Sequence, residues 1–260
     1  MNIYYTTIKG RRESNEDRHN VILNINKLNE ELNCINLLGI YDGHGGTWVS
    51  DFLEKNIPLY YCDKKLQTPF SEDYHVEIFE HLQKKILEKE KGYICGSTCL
   101  LNIMYKYNNE IHMNIVNLGD CRAVIVYNNG IAKAITTDHK PDDPFERKRL
   151  EEMGGEIYKD SEGTIRIGDL SLSRAFGDGD NAPYISQRPD VFYNKITGLT
   201  KYVVMGCDGL WDEINNEDLF GLLEKFKKKG STNLAADLAN EALRRGTTDN
   251  VSIIIIEIGK

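Results

Sequence analysis

Two hydrophobic rhythms alternate along the chain. Wholly apolar or period-two runs predict strands over Asn20–Ile25 (NVILNI), Ile35–Asp42 (INLLGIYD), Ser97–Tyr105, Ile111–Asp120, Arg122–Tyr127, Lys201–Asp208 and Val251–Gly259, since such runs satisfy a buried or half-buried pleat. Short turns such as YNNG, Tyr127–Gly130, join several of them, a pattern of antiparallel hairpins rather than crossovers. Helical spacing takes over in blocks. It covers Thr47–Asn56, Asp73–Gly92 with Val76, Phe79, Leu82 and Leu87 spaced along it, Asp143–Gly155 ending on capping glycines, and the late pair Asn215–Gly230 and Ser231–Gly246. The late pair opens on polar or acidic residues, the second on Ser231 and Thr232, and closes on cations, as helix ends favour. Strands predominate, so the predicted architecture is sheet packed on sheet with helices outside.

Composition narrows this picture. At 260 residues and 40% hydrophobic the chain can bury a sizeable core, and the absence of a spacer, repeat or low-complexity tract favours one domain, residues 1–260. A formal charge of -8 argues against a nucleic-acid partner, which needs a basic face. Cysteines 34, 62, 95, 99, 121 and 207 form no CxxC pair and sit mostly in apolar runs. They read as reduced core thiols of an intracellular protein, cytoplasmic or nuclear. The opening MNIYYTTIKG has no leader character, and no run reaches membrane-spanning length.

Candidate chemistry gathers at strand ends. In IYDGHGG, Ile40–Gly46, an apolar run ends in Asp42, Gly43 and His44, which reads equally as a polar hairpin turn or as a metal or catalytic site. Asp120, Asp208 and Asp249 repeat the strand-end context, and Glu16 and Asp17 add an acid pair near the N-terminus. Any one of these acids alone reads as a turn or cap residue. Several converging carboxylates repel one another, and divalent cations relieve that repulsion; hard oxygen donors suit magnesium or manganese.

Along the chain stand, in order, GRRESNED (Gly10–Asp17), YDGHGG (Tyr41–Gly46), GST (Gly96–Thr98), NLGDCRAV (Asn117–Val124), TTDHKP (Thr136–Pro141), LSLSRAFGD (Leu170–Asp178), CDGLWD (Cys207–Asp212) and TTDNVS (Thr247–Ser252). With these motifs, in the family's order, the chain resembles the metal-dependent PP2C-type Ser/Thr protein phosphatases. The resemblance implies an α+β fold, a four-layer α-β-β-α sandwich of two packed, mainly antiparallel sheets flanked by helices. It implies a phosphoprotein phosphatase acting on phosphoserine and phosphothreonine by direct attack of a metal-bridging hydroxide, with two Mg²⁺ or Mn²⁺ ions and a weaker third. Asp42 would bridge two ions, the Gly43 carbonyl would bind one, Asp208 and Asp249 would complete the ligands, and Glu16 and Asp17 would act through waters. Asp120 with Asp208 would form the third site. Arg12 would hold phosphate oxygens, and His44 would protonate the leaving oxygen. Arg11 reads as a surface charge and His139 as a structural turn histidine.

The chain departs from the family's pattern after SRAFGD, where the usual aromatic and lysine are missing; at Cys121, which replaces a serine; and over Pro58–Lys91, which matches nothing specific. The expected partners are phosphoproteins, with no nucleic acid and no membrane, and a monomer is expected. The competing readings are a catalytically inactive PP2C-fold regulatory binding module and a two-metal nuclease or small phosphoester hydrolase.

Overall fold

The computed structural model describes residues 1–27 and 34–259. Its first half contains β1 (Asn2–Ile8), β2 (Arg18–Ile22), β3 (Asn36–Tyr41), β4 (Gly43–His44), α1 (Trp48–Asn56), α2 (Pro58–Tyr61), α3 (Glu72–Leu87), α4 (Lys91–Ile94), β5 (Gly96–Ser97), β6 (Cys99–Tyr107), β7 (Glu110–Leu118) and β8 (Arg122–Tyr127). Then follow β9 (Ala132–Ala134), α5 (Pro144–Glu152), β10 (Ile157–Lys159), β11 (Ile165–Ile167), β12 (Phe176–Gly177), β13 (Asp190–Lys195), β14 (Thr200–Gly206), α6 (Asp208–Trp211), α7 (Asp218–Lys228), α8 (Leu234–Arg245) and β15 (Val251–Glu257). Two five-stranded sheets dominate, ordered β1-β15-β14-β8-β9 and β13-β7-β6-β3-β2, and every pairing within them is antiparallel.

Period-two alternation explains the layers. In β15, Val251, Ile253 and Ile255 face the core under α7 and α8, while Ile254 and Ile256 join the core between the sheets. In β3, Leu37 and Tyr41 face the core under α1 and α3, while Leu38 and Ile40 face the opposite sheet. Strands buried on both faces need apolar residues at every position, which is why these runs read as continuous. The result is the expected helix-sheet-sheet-helix stack. Cys95, Cys99, Cys121 and Cys207 are buried in it as free thiols, and Cys62 is exposed.

Some boundaries differ from the hydrophobic pattern. β2 stops at Ile22, ahead of Asn24, whose φ of 49° breaks the extended chain. The Asp73–Gly92 block divides into α3 and α4. α8 is capped by the Asn233 side chain, which accepts from the N–H groups of Ala235 and Ala236, rather than by Ser231 or Thr232. Several short elements escaped the pattern, and so did two longer strands, β1 and β13, both edge strands with mixed exposure and weak alternation.

One buried polar cluster ties α3 to its sheet. The Tyr105 hydroxyl donates to Asn114 Oδ1 at 2.8 Å, the Asn114 amide lies 3.1 Å from His75 Nε2, and His75 Nδ1 lies 2.9 Å from the Tyr61 oxygen. The amide donates to Nε2, so Nδ1 carries the proton. Burial pushes the His75 pKa down to about 4. In the unfolded chain the imidazole takes a proton near its ordinary value of about 6.5, whereas the folded protein keeps it neutral until about pH 4. Stability linked to His75 is therefore intact above the unfolded pKa and is lost as pH falls between the two values. Comparing the parent with His75→Gln by chemical denaturation from pH 7 to 4, the parent should lose up to roughly 3 kcal/mol more than the variant. Parallel pH curves would refute this assignment.

Candidate active site

The strand ends meet at one end of the two sheets. β3 runs directly into Asp42, β7 reaches Asp120 through Gly119, β14 reaches Asp208 through Cys207, Asp249 stands two residues before β15, and Glu16 and Asp17 precede β2. Between them opens a cavity of about 460 Å³ lined by Arg12, Glu16, Asp42, Gly43, His44, Asp120, Asp208 and Asp249. Asp17 lies beneath it, 1% exposed. All nine residues singled out in the sequence thus fall in one place.

Glycines and small polar side chains fix the geometry. A Cβ on Gly43 would lie 2.5 Å from the Glu16 carbonyl oxygen, to which Ser50 Oγ donates at 2.5 Å, so only glycine lets the acid pair approach. A Cβ on Gly10, where φ is +61°, would lie 2.1 Å from the Asp249 carbonyl oxygen. The Thr98 hydroxyl accepts from the Asp42 N–H at 3.1 Å, and the Thr98 N–H donates to the Asp42 carbonyl at 2.9 Å. Asn250 binds the N-terminal loop by donating to the carbonyls of Lys9 and Ser14 and accepting from the Glu16 N–H. The Glu16 carboxylate accepts the Gly46 N–H at 3.0 Å.

Electrostatically the cluster is under-compensated. Burial, then the charges of Asp17, Asp208, Asp120 and Asp249, pushes the Asp42 carboxyl far above its ordinary range. Burial and the neighbouring Asp120, Asp212 and Asp249 do the same to Asp208. Asp17 is raised to about 6, chiefly by burial. Asp120 is raised by burial, with Lys140 opposing; the ammonium is 3.7 Å from Asp120 and 3.8 Å from Asp212. The donor set suits a hard divalent cation: Asp17 and Asp42 oxygens lie within 4.8 Å of each other and of the Cys207 sulfur, and Asp17 Oδ1 is buried without a partner. Cys207 is no thiolate, since burial and Asp17 push its thiol well up and its sulfur lies 3.5 Å from Asp17 Oδ2.

His44 occupies the opposite wall. β4, β5 and β12 form a three-stranded sheet in which His44 pairs with Gly96 and Gly96 with Gly177. That register brings Asp178, the residue after β12, against the imidazole: Nε2 is 2.9 and 2.8 Å from its two carboxylate oxygens. Burial disfavours the imidazolium, but the hydrogen bond to Asp178 and its charge, with Asp120 and Glu16 beyond, raise the pKa above the ordinary histidine value. Asp178 lay inside a recognised motif yet received no role from sequence, since its contact with His44 spans 134 residues. Arg12 donates to Asp249 Oδ2 at 2.6 Å from the cavity rim. Across the cavity Arg166, Asp169 and Leu170 to Leu172 form the remaining wall. The Arg166 guanidinium is pinned by Asp160 Oδ2 at 2.6 Å and by the Asp169 carbonyl. His139 is buried, its Nδ1 accepting the Gly119 N–H and its Nε2 facing Asp190, a structural tie between the Asp120 turn and this wall.

The profile of the family described as protein phosphatase 2C matches residues 2–251. The chain belongs to that family. A PP2C-like domain-containing protein of Acanthamoeba polyphaga mimivirus is 36% identical over 173 residues, 57% of this chain and 96% of that protein. The Oryza sativa subsp. japonica protein named "Probable protein phosphatase 2C 7" is 30% identical over 266 residues, covering 99% of this chain and 66% of its own length. The solved structure of a C. elegans sex determining protein superposes with a TM-score of 0.85 at 28% identity, covering 98% of this chain and 64% of that one. The chain thus spans about two thirds of the rice and nematode relatives.

Carboxylates with raised pKa values favour the protonated folded state, so the cation-free protein gains stability as pH falls and loses it as pH rises through those values. Asp208→Asn removes one charge from the repulsive set. In EDTA at pH 8 the variant should melt above the parent by several degrees, and the gap should narrow toward pH 5. Mg²⁺ or Mn²⁺ should then raise the parent's melting temperature more than the variant's. A variant less stable than the parent in EDTA would show that the cluster is not strained by charge.

Proposed function

We propose that the chain is a metal-dependent phosphatase of phosphoserine and phosphothreonine proteins, with residues 1–260 forming one catalytic domain. A single observation carries this reading: a pocket crowded with under-compensated carboxylates faces an imidazole hydrogen-bonded to its own aspartate, which raises its pKa. Asp42, the Gly43 carbonyl, Asp208 and Asp249 would hold two Mg²⁺ or Mn²⁺ ions, with Glu16 and Asp17 supporting them through water and Asp120 with Asp208 holding a weaker third. When bound, the ions supply the positive charge that draws in the phosphate and the acidity that readies water for direct attack.

The chain's own groups do the rest. Arg12, anchored at the rim by Asp249, is assigned to the phosphate oxygens, which its planar fork matches. His44, whose imidazolium form Asp178 favours, is assigned to donate a proton to the serine or threonine oxygen as its bond to phosphorus breaks. A buried, protonated Cys207 offers no competing nucleophile, in keeping with attack that passes through no covalent enzyme intermediate. The acidic cavity suits a phosphoprotein segment better than a nucleic acid. Among the described residues no helix is long and apolar enough to cross a membrane.

The test is hydrolysis of a phosphoserine peptide with Mg²⁺ or Mn²⁺ and with EDTA. Turnover should depend on the added ion and vanish on chelation. Asp208→Asn should lose nearly all activity, while Asp63→Asn, at an exposed turn remote from the cavity lining, should keep it. Turnover that survives thorough chelation would overturn the metal assignment, and a folded parent with no turnover on any phosphopeptide would favour the binding-module reading.

A proton donor matters most for a poor leaving group. His44→Ala should cut phosphoserine-peptide turnover by about 10²- to 10⁴-fold, and p-nitrophenyl phosphate turnover far less, because nitrophenolate departs as an anion. Equal losses on both substrates, or rescue by excess metal, would move His44 from proton donor to a supporting role.

A further inference from the structure

α3 lies in Pro58–Lys91, the stretch that matches no motif, and its neighbours in the fold are mostly apolar. Besides His75, one polar side chain on its buried face is an exception. Gln83, 8% exposed, accepts the Gly177 N–H through Oε1 at 2.8 Å and donates through Nε2 to the Gly177 carbonyl at 3.0 Å. One helical turn earlier, Phe79 packs on Phe176 with ring centroids 4.8 Å apart. Thus α3 grips both residues of β12, one through apolar packing and one through a two-point amide clamp.

What β12 delivers next is Asp178. Gly177 sits at φ +80° and could not carry a side chain, since a Cβ there would lie 2.2 Å from the Cys95 carbonyl oxygen. Asp178 follows at φ 52° and ψ 36°, a left-handed conformation that a non-glycine residue holds only when its surroundings impose it. Its N–H donates to the Cys95 carbonyl at 3.1 Å, and its carboxylate, 3% exposed, meets His44 Nε2 with both oxygens. Gly96 between them is bare by necessity, because a Cβ would lie 2.2 Å from both the Asp178 oxygen and the His44 nitrogen. The clearance around the imidazole is small, so a displaced Gly177 would carry the carboxylate away from the ring.

We propose that Gln83 is a positioning residue for the reaction: by clamping Gly177 it fixes Asp178, and through Asp178 it aims the His44 ring into the cavity. The proposal rests on His44 being the proton donor, and its test separates failure of the clamp from failure of that reading. Small misplacements of a reacting group are expensive in rate, which makes such a clamp visible in kinetics.

Gln83→Met fills the same volume and removes both hydrogen bonds; Gln83→Glu keeps only the acceptor for the Gly177 N–H. Ile86→Ala, a buried change in the same helix with no hydrogen bond to lose, reports loss of stability alone. On full-length protein with Mn²⁺, Gln83→Met should lower phosphoserine-peptide kcat about 10-fold or more while changing p-nitrophenyl phosphate kcat by less than about 3-fold. Gln83→Glu should shift in the same direction. Ile86→Ala should affect both substrates alike. With ¹⁵N-histidine labelling and Mg²⁺ in place of Mn²⁺, the His44 Nε2–H resonance should move in Gln83→Met, as in Asp178→Asn, and stay in Ile86→Ala. An unmoved resonance in Gln83→Met, or equal kinetic losses on both substrates while His44→Ala discriminates between them, overturns the proposal. If His44→Ala shows no discrimination, the proton-donor reading has failed, and the resonance alone decides whether Gln83 holds the ring.

Discussion

Six carboxylates crowd the end of a pair of sheets that cannot relax away from one another. Asp42, Asp120 and Asp208 follow strands locked by ladders on both sides, and Asp249 sits just ahead of β15, which is also paired on both sides. In a flexible loop such groups would swing into water. Here the ladders and the core between the sheets, built from residues as distant as Leu38 and Ile256, hold them in place. Mutual repulsion and burial leave the fold two means of compensation: protons, which the raised carboxyl pKa values express, or cations. Lys140 and Arg12 supply positive charge at the margins, 3.7 Å from Asp120 and 2.6 Å from Asp249. Neither forms an ion pair with the deepest two, Asp17 and Asp42, and Asp17 keeps a buried oxygen with no partner.

Against this rigid floor the other walls are built by different means. The small sheet of β4, β5 and β12 brings His44 to the cavity by its register, and its glycines leave room for one carboxylate beside the ring. The wall carrying Arg166 has a separate apolar core of Leu150, Ile167, Leu172, Ala175 and Ile185. At its base the buried Glu146 accepts from Arg149, Arg174 and the Ser173 hydroxyl. Arg174 continues to Asp190, which the hydrogen bond from His139, together with Arg174, holds down at about 2. His139 in turn carries the Gly119 N–H beside Asp120. The wall's foundation and the acidic floor are thus linked through one histidine.

The sheets and the acids were legible in the sequence for the same reason. Strands buried on both faces must be apolar throughout, so an aspartate at the end of IYD or MGCD stands out against its run. β1 and β13 were silent because an edge strand half open to solvent need not alternate cleanly. Asp178 and Gln83 were silent for another reason. Their partners lie 134 and 94 residues away, and neither residue type is unusual where it stands. Arg166 points toward the cavity because Asp160 and the Asp169 carbonyl pin it, a loop geometry with no hydrophobic period to announce it. Spacing reveals what the chain must bury; it does not reveal which distant side chains that burial brings together.

Burial is the common cause, yet it sends chemically similar groups to different ends. His75 and His44 are both largely enclosed. His75 meets only an amide and a phenol, so desolvation prevails and its pKa falls to about 4, leaving a neutral hydrogen-bonding wedge under α3. His44 meets a carboxylate through the gap left by Gly96, so the partner's charge outweighs desolvation and the imidazolium is favoured. The same desolvation holds the Cys207 thiol protonated and raises the Asp42 and Asp208 carboxyls, where the neighbouring acids outweigh the charge of Lys140 on Asp208. What separates a structural group from a chemical one in this fold is therefore the partner that the surrounding glycines admit, rather than depth beneath the surface. At His44 that partner is an anion; at the acidic floor the donor set calls for a cation.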